Sequence, residues 1–185
     1  GRPMHVISAN HHSVMNTLYG CQALSGELQF KSIEELAEQT SLPENGEMRQ
    51  QIYDYATENG LTELKDISGT NLTVQVIDVN QVDVSKLPGD LNIAEFNDPE
   101  SVVVVMDYAF GEQAYECLDE LLKPYERDNE LYNVNVKSVS IMGKAGILEG
   151  EKGGLMIPTA HVFEGTADDC PIISLLKSED YDDCG

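Results

Sequence analysis

A run of four valines and a methionine, Val102–Met106, constrains the fold of this chain more than any other segment. β-branched residues favour extended backbone, and an uninterrupted apolar run is typical of a strand that is covered on both faces. A short turn over residues 107–111 follows, and apolar side chains then recur at helical spacing over residues 114–122. The segment therefore predicts a buried strand that leads into an amphipathic helix.

The rest of the chain supplies elements that complete a sheet. Alternating or apolar runs predict further strands over residues 4–9, 72–79, 136–142 and 155–158. Helices are predicted after Asn10, after the capping-box residue Ser32 and over 47–59, where Gly60 supplies the stop. The polar link 126–133 is long enough for a right-handed parallel crossover. We therefore expect one α/β domain over 1–185, three-layered, with a mostly parallel or mixed central sheet and flanking helices.

The net charge limits the class of partner. The chain has 11 basic and 33 acidic residues, a formal charge of −22, and such a surface repels the phosphates of DNA and RNA. No segment approaches the roughly 20 apolar residues that span a bilayer, and no signal-peptide pattern opens the chain. Four widely spaced cysteines form no metal-binding or redox pair. The sequence predicts a cytoplasmic protein with reduced thiols, no metal, no nucleic-acid partner and no membrane association.

Three segments in the second half carry a resemblance to a known superfamily. They are the strand and turn over 102–114, the glycine loop over 142–146 and the run over 154–158. In this order they resemble the core of the nucleoside phosphorylase and nucleosidase superfamily, over about 101–165 of this chain. The chain is also similar to an uncharacterised bacterial family of larger proteins that carry this phosphorylase-like segment.

The resemblance implies a function and a set of ligands. It implies a phosphorylase-like fold that binds a nucleoside, a nucleotide or a related ribosyl compound and cleaves the N-glycosidic bond. Inorganic phosphate or water would attack the anomeric carbon, and no other cofactor is implied. Members of the superfamily commonly form homo-oligomers, so the resemblance allows one here.

The sequence also departs from the superfamily pattern. Only Gly111 remains of the first glycine-rich turn, Gly154 stands where aspartate is usual, and the C-terminal methionine–glutamate motif has no counterpart. These departures favour either a fragment of a longer protein or a binding or regulatory module that keeps the fold without the reaction. A metal-dependent hydrolase is a further alternative, and its ligands would be His11, His161, Glu164 and Asp168.

The glycine loop after the strand over 136–142 is one candidate binding segment. Lys144 lies between Gly143 and Ala145 there, and the superfamily has a small hydroxyl residue at this place that contacts phosphate or ribose. The resemblance implies that Lys144 grips the same group as a point charge, with flanking backbone N–H groups assisting. The alternative is a solvated lysine in a tight turn.

Further candidate residues follow the first strand and the last one. Asn10, His11 and Ser13 are expected as anion or sugar ligands, and the alternative is a helix cap with surface histidines. His161 and Glu164 are the expected acid–base residues, since a histidine and a carboxylate three residues apart suit proton transfer.

Sheet topology gathers several of these residues at one place. Loops that follow parallel strands emerge at the same edge of a sheet. We expect one concavity lined by Asn10, Gly111, Gly143, Lys144, Ala145 and His161. Asp107 and Glu112, which flank the helix start, are explained by capping and by the helix dipole.

Overall fold

The computed structural model confirms the α/β class and shows a mixed sheet with two antiparallel pairings. The structure describes residues 1–25, 30, 32–67, 69–87, 91, 100–109, 111–144, 146, 148–151, 154–161 and 172–177. They belong to two compact units, residues 1–143 and residues 144–185. The expectation of one domain over 1–185 stays a prediction, and each unit is described by itself.

A five-stranded mixed sheet forms the centre of the first unit, in the order β2-β3-β4-β1-β7. Its strands are β1 (Pro3–Ser8), β2 (Leu61–Leu64), β3 (Val74–Asp78), β4 (Val102–Met106) and β7 (Asn135–Ile141). β4, β1 and β7 run parallel, whereas β3 is antiparallel to β4 and β2 is antiparallel to β3. The valine run is therefore an interior strand, as its composition predicted.

Helices cover both faces of this sheet and make three layers. The helices are α1 (His11–Met15), α2 (Cys21–Ala23), α3 (Ile33–Ser41), α4 (Gly46–Glu58) and α5 (Glu112–Leu122). A π-helical segment, Asn16–Gly20, joins α1 to α2, and single 3₁₀ turns lie at Val79–Gln81 and Val84–Lys86. No described helix is long and apolar enough to cross a membrane.

Two apolar clusters fill the space between the layers. On one face, Val105 and Ile77 of the sheet pack with buried residues of α1, the π-helical segment, α3 and α4, including Tyr19 and Ile52. On the other face, Val6, Val104 and Met106 pack against one side of α5. Alternate residues of β4 thus point into opposite clusters, which is the burial on both faces that the valine run predicted.

Two glycines allow close packing at helix ends. A Cβ atom on Gly20 would clash with Leu36 Cδ2, so the glycine lets α3 approach the π-helical segment. Gly60 follows α4 with φ +103°, and a Cβ there would meet Gln81 and the Asp78 carbonyl within 3 Å. The stop predicted at Gly60 is confirmed, and so is the Ser32 cap, whose Oγ accepts from Glu35 N at 3.2 Å.

Two predicted details were wrong. The link between α5 and β7 is a hairpin of β5 (Tyr125–Arg127) and β6 (Glu130–Tyr132), whose turn residues Asp128 and Asn129 both have positive φ. Asp and Asn adopt positive φ more readily than other non-glycine residues, which explains why these two residues can form the tight hairpin turn.

The expected strand over 155–158 is also absent from the second unit. Strand pairing in the second unit begins after Pro158, because proline has no N–H group to donate to a neighbouring strand. There, β8 (Ala160–His161) pairs antiparallel with β9 (Ile172–Ile173). Ser174 N also donates to Thr159 O at 3.2 Å. The apolar residues before the proline, Leu155 and Met156, are exposed.

Candidate functional site

The carboxyl ends of three parallel strands meet at one edge of the sheet. Ser8 pairs with Met106 on one side and with Ile141 on the other. Two bonds extend this pairing past the strands: Ala9 N donates to Met106 O at 3.1 Å, and Met142 N donates to Ser8 O at 2.9 Å. The segments that carry Asn10, Gly111 and Gly143 therefore leave the sheet at a common edge, as parallel topology predicts.

Asn10 caps α1 with its side chain. Its Oδ1 accepts from His12 N at 3.0 Å and from Ser13 N at 3.3 Å. These two amides already have an acceptor within the chain, and the Ser13 residue is exposed. The structure thus shows the capping role for Asn10, and its role as a sugar or anion ligand stays a prediction.

The two candidate glycines of the first unit lie at the same edge in open surroundings. Gly111 precedes α5 with φ 56° and ψ −126°, a conformation that L side chains rarely adopt. A Cβ atom on Gly143 would lie 3.8 Å from a ring carbon of Tyr108, an ordinary contact. Backbone conformation therefore accounts for glycine at 111 but not at 143.

The remaining predicted residues lie elsewhere in the chain. Lys144 and His161 belong to the second unit, so their place beside Asn10 and Gly111 stays a prediction. Ala145 and Glu164 lie outside the described residues, as does Asp168. Within the described part of the chain, no three His, Cys, Asp or Glu side chains are close enough to hold a metal ion.

A cavity of about 470 Å³ lies in the first unit between α1, α4 and the strands β2 and β3. The antiparallel pairing carries the end of β2 and the start of β3 to the same edge as the end of β4, since Leu64 pairs with Val74 and Val74 with Met106. The cavity is lined by His11, His12, Met15, Gly46, Arg49, Gln50, Tyr53, Glu63 and Gln75.

The His11 side chain faces the carboxylate of Asp107, the residue that directly follows the C-terminal end of β4. His11 Nδ1 lies 3.1 Å from Asp107 Oδ2, with the two side chains 15% and 32% exposed. Nδ1 is shielded from solvent and makes no hydrogen bond within the described part of the chain. Tyr108 N donates to the other oxygen, Asp107 Oδ1, at 2.9 Å. The capping role expected for Asp107 was wrong, because Gly111 caps α5 and Asp107 contacts His11 instead.

His12 stacks on the neighbouring histidine. The ring centroids of His11 and His12 are 4.0 Å apart at 40°. Partial burial lowers the pKa of His12 below 6.5, and the neighbouring His11 lowers it further. His12 therefore favours the neutral form in the folded chain.

Gln75 and Glu63 also line the cavity, and the sequence analysis did not single them out. Gln75 is fully buried, and its Nε2 donates to Glu63 Oε2 at 3.1 Å. Its Oε1 is buried without a hydrogen-bond partner among the described residues. Gln75 lies on the same face of β3 as the buried Ile77, so it is a polar residue at a core position. A polar residue in this place of the strand pattern is the sequence signal that could have pointed to the site.

Arg49 and Tyr53 close the cavity from α4. The Arg49 guanidinium donates to three carbonyls of the α3–α4 segment: Nη1 to Thr40 O at 2.9 Å and Leu42 O at 2.6 Å, and Nη2 to Pro43 O at 3.2 Å. Burial, and then the Glu63 carboxylate, raise the pKa of Tyr53, which keeps its phenol protonated as a donor. The Arg49 guanidinium thus serves largely to stabilise the α3–α4 segment beside the cavity.

The fold and the cavity define a three-layer α/β protein with a small pocket at the carboxyl edge of its parallel strands. The chain belongs to a family of unknown function, DUF6909, whose model matches residues 37–180. The match includes Arg49, Glu63, Gln75 and Asp107 and begins after His11. No curated protein and no solved structure matches the chain.

Proposed function

We propose that the chain binds a nucleoside, a nucleotide or a related ribosyl compound in the cavity of its first unit. The observation that carries the proposal is the buried Gln75 Oε1, an acceptor with no hydrogen-bond partner among the described residues, on the amide whose Nε2 donates to Glu63. A buried acceptor that is left unpaired costs about 1–3 kcal/mol, and a ligand donor that reaches it recovers that loss. Ribose hydroxyls and the N–H groups of nucleobases are such donors.

The volume of the cavity and its few hydrogen-bonding side chains suit this class of ligand. Its volume of about 470 Å³ lies within the range of roughly 300–1,000 Å³ typical of small-molecule pockets. The Glu63 carboxylate and Gln75 Oε1 accept hydrogen bonds, and the Tyr53 hydroxyl donates one. The Tyr53 ring and Met15 add apolar surface against which a flat base can pack.

The charges favour an uncharged nucleoside over its phosphate ester in this cavity. Glu63 lines it and Asp107 lies behind His11, whereas the guanidinium of Arg49 is held by three carbonyls. The net charge of −22 adds a long-range repulsion against any anion. We expect each nucleoside to bind more tightly than its 5′-monophosphate.

Calorimetric titration and thermal shift test the proposal. The panel contains adenosine, guanosine, inosine, uridine and cytidine, with their 5′-monophosphates, ribose and inorganic phosphate. A nucleoside at 100 times its Kd stabilises the fold by about 2.7 kcal/mol. If no ribosyl compound binds at millimolar concentration, the proposal is wrong.

A pair of variants locates the site. Gln75→Leu removes the buried acceptor, and we expect the affinity for the best nucleoside to fall at least about tenfold. Gln113→Leu is the matched control, because Gln113 lies on α5 in the opposite layer and donates to Thr70 O. Equal affinities of wild type and Gln75→Leu would place the binding site elsewhere.

A further inference from the structure

We propose that the outer edge of β7 is a dimerisation surface, on which a second copy of this chain adds its own β7 in antiparallel pairing. The two five-stranded sheets then form one continuous sheet across a twofold axis. This inference is independent of the proposed ligand, because the cavity lies beside β2 and β3 at the other side of the sheet.

The two edge strands of the sheet differ in length and charge. β2 has four residues, carries Glu63 and is followed two residues later by Asp66. β7 has seven residues, and none of them is acidic. Short, charged edge strands resist pairing with another chain, whereas long uncharged ones favour it. Among the described strands none pairs with the outer side of β7, so this is the edge that can accept a further strand.

The backbone direction of β7 shows which residues face outwards. Met142 N donates to Ser8 O at 2.9 Å, so the backbone groups of Met142 point towards β1. Successive residues of a strand direct these groups to alternate sides. The N–H and C=O groups of Val139 and Ile141 therefore point away from β1, where no strand in the described part of the chain takes up their hydrogen bonds.

The same residues present apolar side chains to solvent. Val139 is 42% exposed and Ile141 is 76% exposed. Val139 pairs with Val6, which packs in the cluster beneath α5, and Ile141 is on the same face of β7. A strand added at this edge extends that face of the sheet and covers both side chains.

A bulge restricts the pairing to the second half of β7. Met4 pairs with Val136 and His5 with Ser138, so Lys137 is an extra residue without a partner in the ladder. A bulge and an exposed lysine both hinder pairing at an edge. The regular part of the strand after the bulge is therefore the part that can pair with another chain.

Antiparallel pairing of this part with itself gives one favourable register. With the twofold axis at Ser140, Val139 of each copy lies opposite Ile141 of the other, and each such pair exchanges both of its N–H···O bonds. Their apolar side chains then meet across the two strands. Lys137 lies opposite Gly143 in this register, so the two lysines do not face each other.

The charge distribution favours a second copy as the occupant. The chain has a formal charge of −22, yet no acidic residue occurs between Glu130 and Glu149. Two copies therefore repel each other least when they approach through this segment. The net charge rejects an acidic peptide, and a strand without carboxylates offers a basic segment no partner. β7 of a second copy is an uncharged strand apart from Lys137, which the register keeps away from its counterpart.

Sedimentation velocity of the full chain tests the proposal. We expect a monomer–dimer equilibrium from micromolar to millimolar concentration. Association should strengthen as salt is raised, because screening weakens the repulsion between two acidic chains. A monomer at every concentration overturns the proposal. A dimer that dissociates as salt is raised also overturns it, because opposite charges on another surface would then hold the copies together.

A pair of variants locates the contact. Ile141→Lys places a charge at the centre of the pairing, and we expect the dimer Kd to rise at least about tenfold. Leu64→Lys is the matched control, because Leu64 is 50% exposed on the other edge strand, β2. Circular dichroism verifies that both variants are folded. Equal dimer Kd values for Ile141→Lys and wild type overturn the assignment to β7.

Disulfide trapping tests the register. Ser140 is exposed, and pairing about this residue brings its two Cα atoms to about 4.5 Å, a separation that a disulfide can bridge. Ser140→Cys should therefore link two copies under mild oxidation, as identified by mass spectrometry of the joined peptides. Ser138→Cys is the control, because Ser138 lies opposite Met142. Linkage of Ser138→Cys alone overturns the register, and linkage of neither variant overturns the β7 contact.

Discussion

Gln75 Nε2 donates to Glu63 Oε2 at 3.1 Å across the β2–β3 pair, and Oε1 of the same amide has no hydrogen-bond partner in the part of the chain that the structure describes. The two residues oppose each other in the ladder, so backbone pairing sets their separation. A fully buried amide that is half satisfied is a stability cost that a well-packed leucine avoids.

Gln75→Leu should therefore separate folding from binding. We expect the free energy of unfolding without ligand to stay within about 1 kcal/mol of wild type or to rise. Nucleoside affinity should fall in the same variant. Urea unfolding measures the first quantity and calorimetry the second. A fall of several kcal/mol in the free energy of unfolding would show that the Gln75 amide stabilises the fold and is not kept for ligand binding.

His12 should make stability depend on pH below neutrality. Its pKa is lower in the folded chain than the ordinary value of 6.5, so below pH 6.5 the unfolded chain takes up the proton more readily. The contribution of His12 to stability is present above pH 6.5 and is lost as pH falls towards the folded pKa. Urea unfolding between pH 8 and pH 5 should show a smaller loss in His12→Gln than in wild type. Parallel curves for the two proteins would contradict this.

Arg2 should hold Asp78 ionised at the opposite edge of the sheet. Its hydrogen bond to Asp78, supported by a bond from Gln81, lowers the pKa of that carboxyl from 3.8 to about 2. The resulting stability is present above pH 3.8 and is lost as pH falls towards 2. Arg2→Ala should move the Asp78 pKa back towards 3.8, as measured by NMR titration of the carboxyl carbon.

Arg127→Ala is the control for that substitution. Its guanidinium lies 3.6 Å from Asp128, and both side chains are largely exposed. The Asp78 titration should be the same in this variant as in wild type. An Asp78 pKa that is insensitive to Arg2→Ala would show that Gln81 and the Asn80 amide alone hold the carboxylate.

Val104→Asp should prevent folding of the first unit. Val104 is 7% exposed and packs in the cluster beneath α5, where a carboxylate has no cation to pair with among the described neighbours. We expect a cost of about 4 kcal/mol or more. Val139→Asp, on the edge strand β7 and 42% exposed, should cost about 0.5–1 kcal/mol. Circular dichroism and urea unfolding compare the two, and similar losses would contradict the layered core.

The elements that sequence predicted best are those with a strong local pattern. The valine run, the helix after it and the caps at Ser32 and Gly60 depend on residues that are close in sequence. β2 was missed because it has four residues, of which only Leu61 is buried. A strand that contributes one core side chain leaves no alternation to detect.

The candidate site was harder to predict because it depends on strand direction. The parallel strands that precede Asn10, Gly111 and Gly143 end at one edge of the sheet, and the expected concavity lined by these residues stays a prediction. Nothing local in β2 or β3 shows that these strands run the opposite way, and that reversal is what carries Glu63 and Gln75 to the same edge. The pairing of His11 with Asp107 likewise depends on β1 and β4 being neighbours, which no spacing along the chain specifies.

The position of β1 between β4 and β7 has a consequence for biosynthesis. β1 emerges from the ribosome well before both strands that pair with it, as the sequence separation of the contacting residues His5 and Ser138 shows. Until then both edges of an apolar strand have no permanent partner, a state that favours capture by chaperones or by other nascent chains. Pulse-labelled ribosome-bound chains stalled after Met106 should remain protease-sensitive. Chains stalled far enough past Met142 to expose β7 should become resistant in one step.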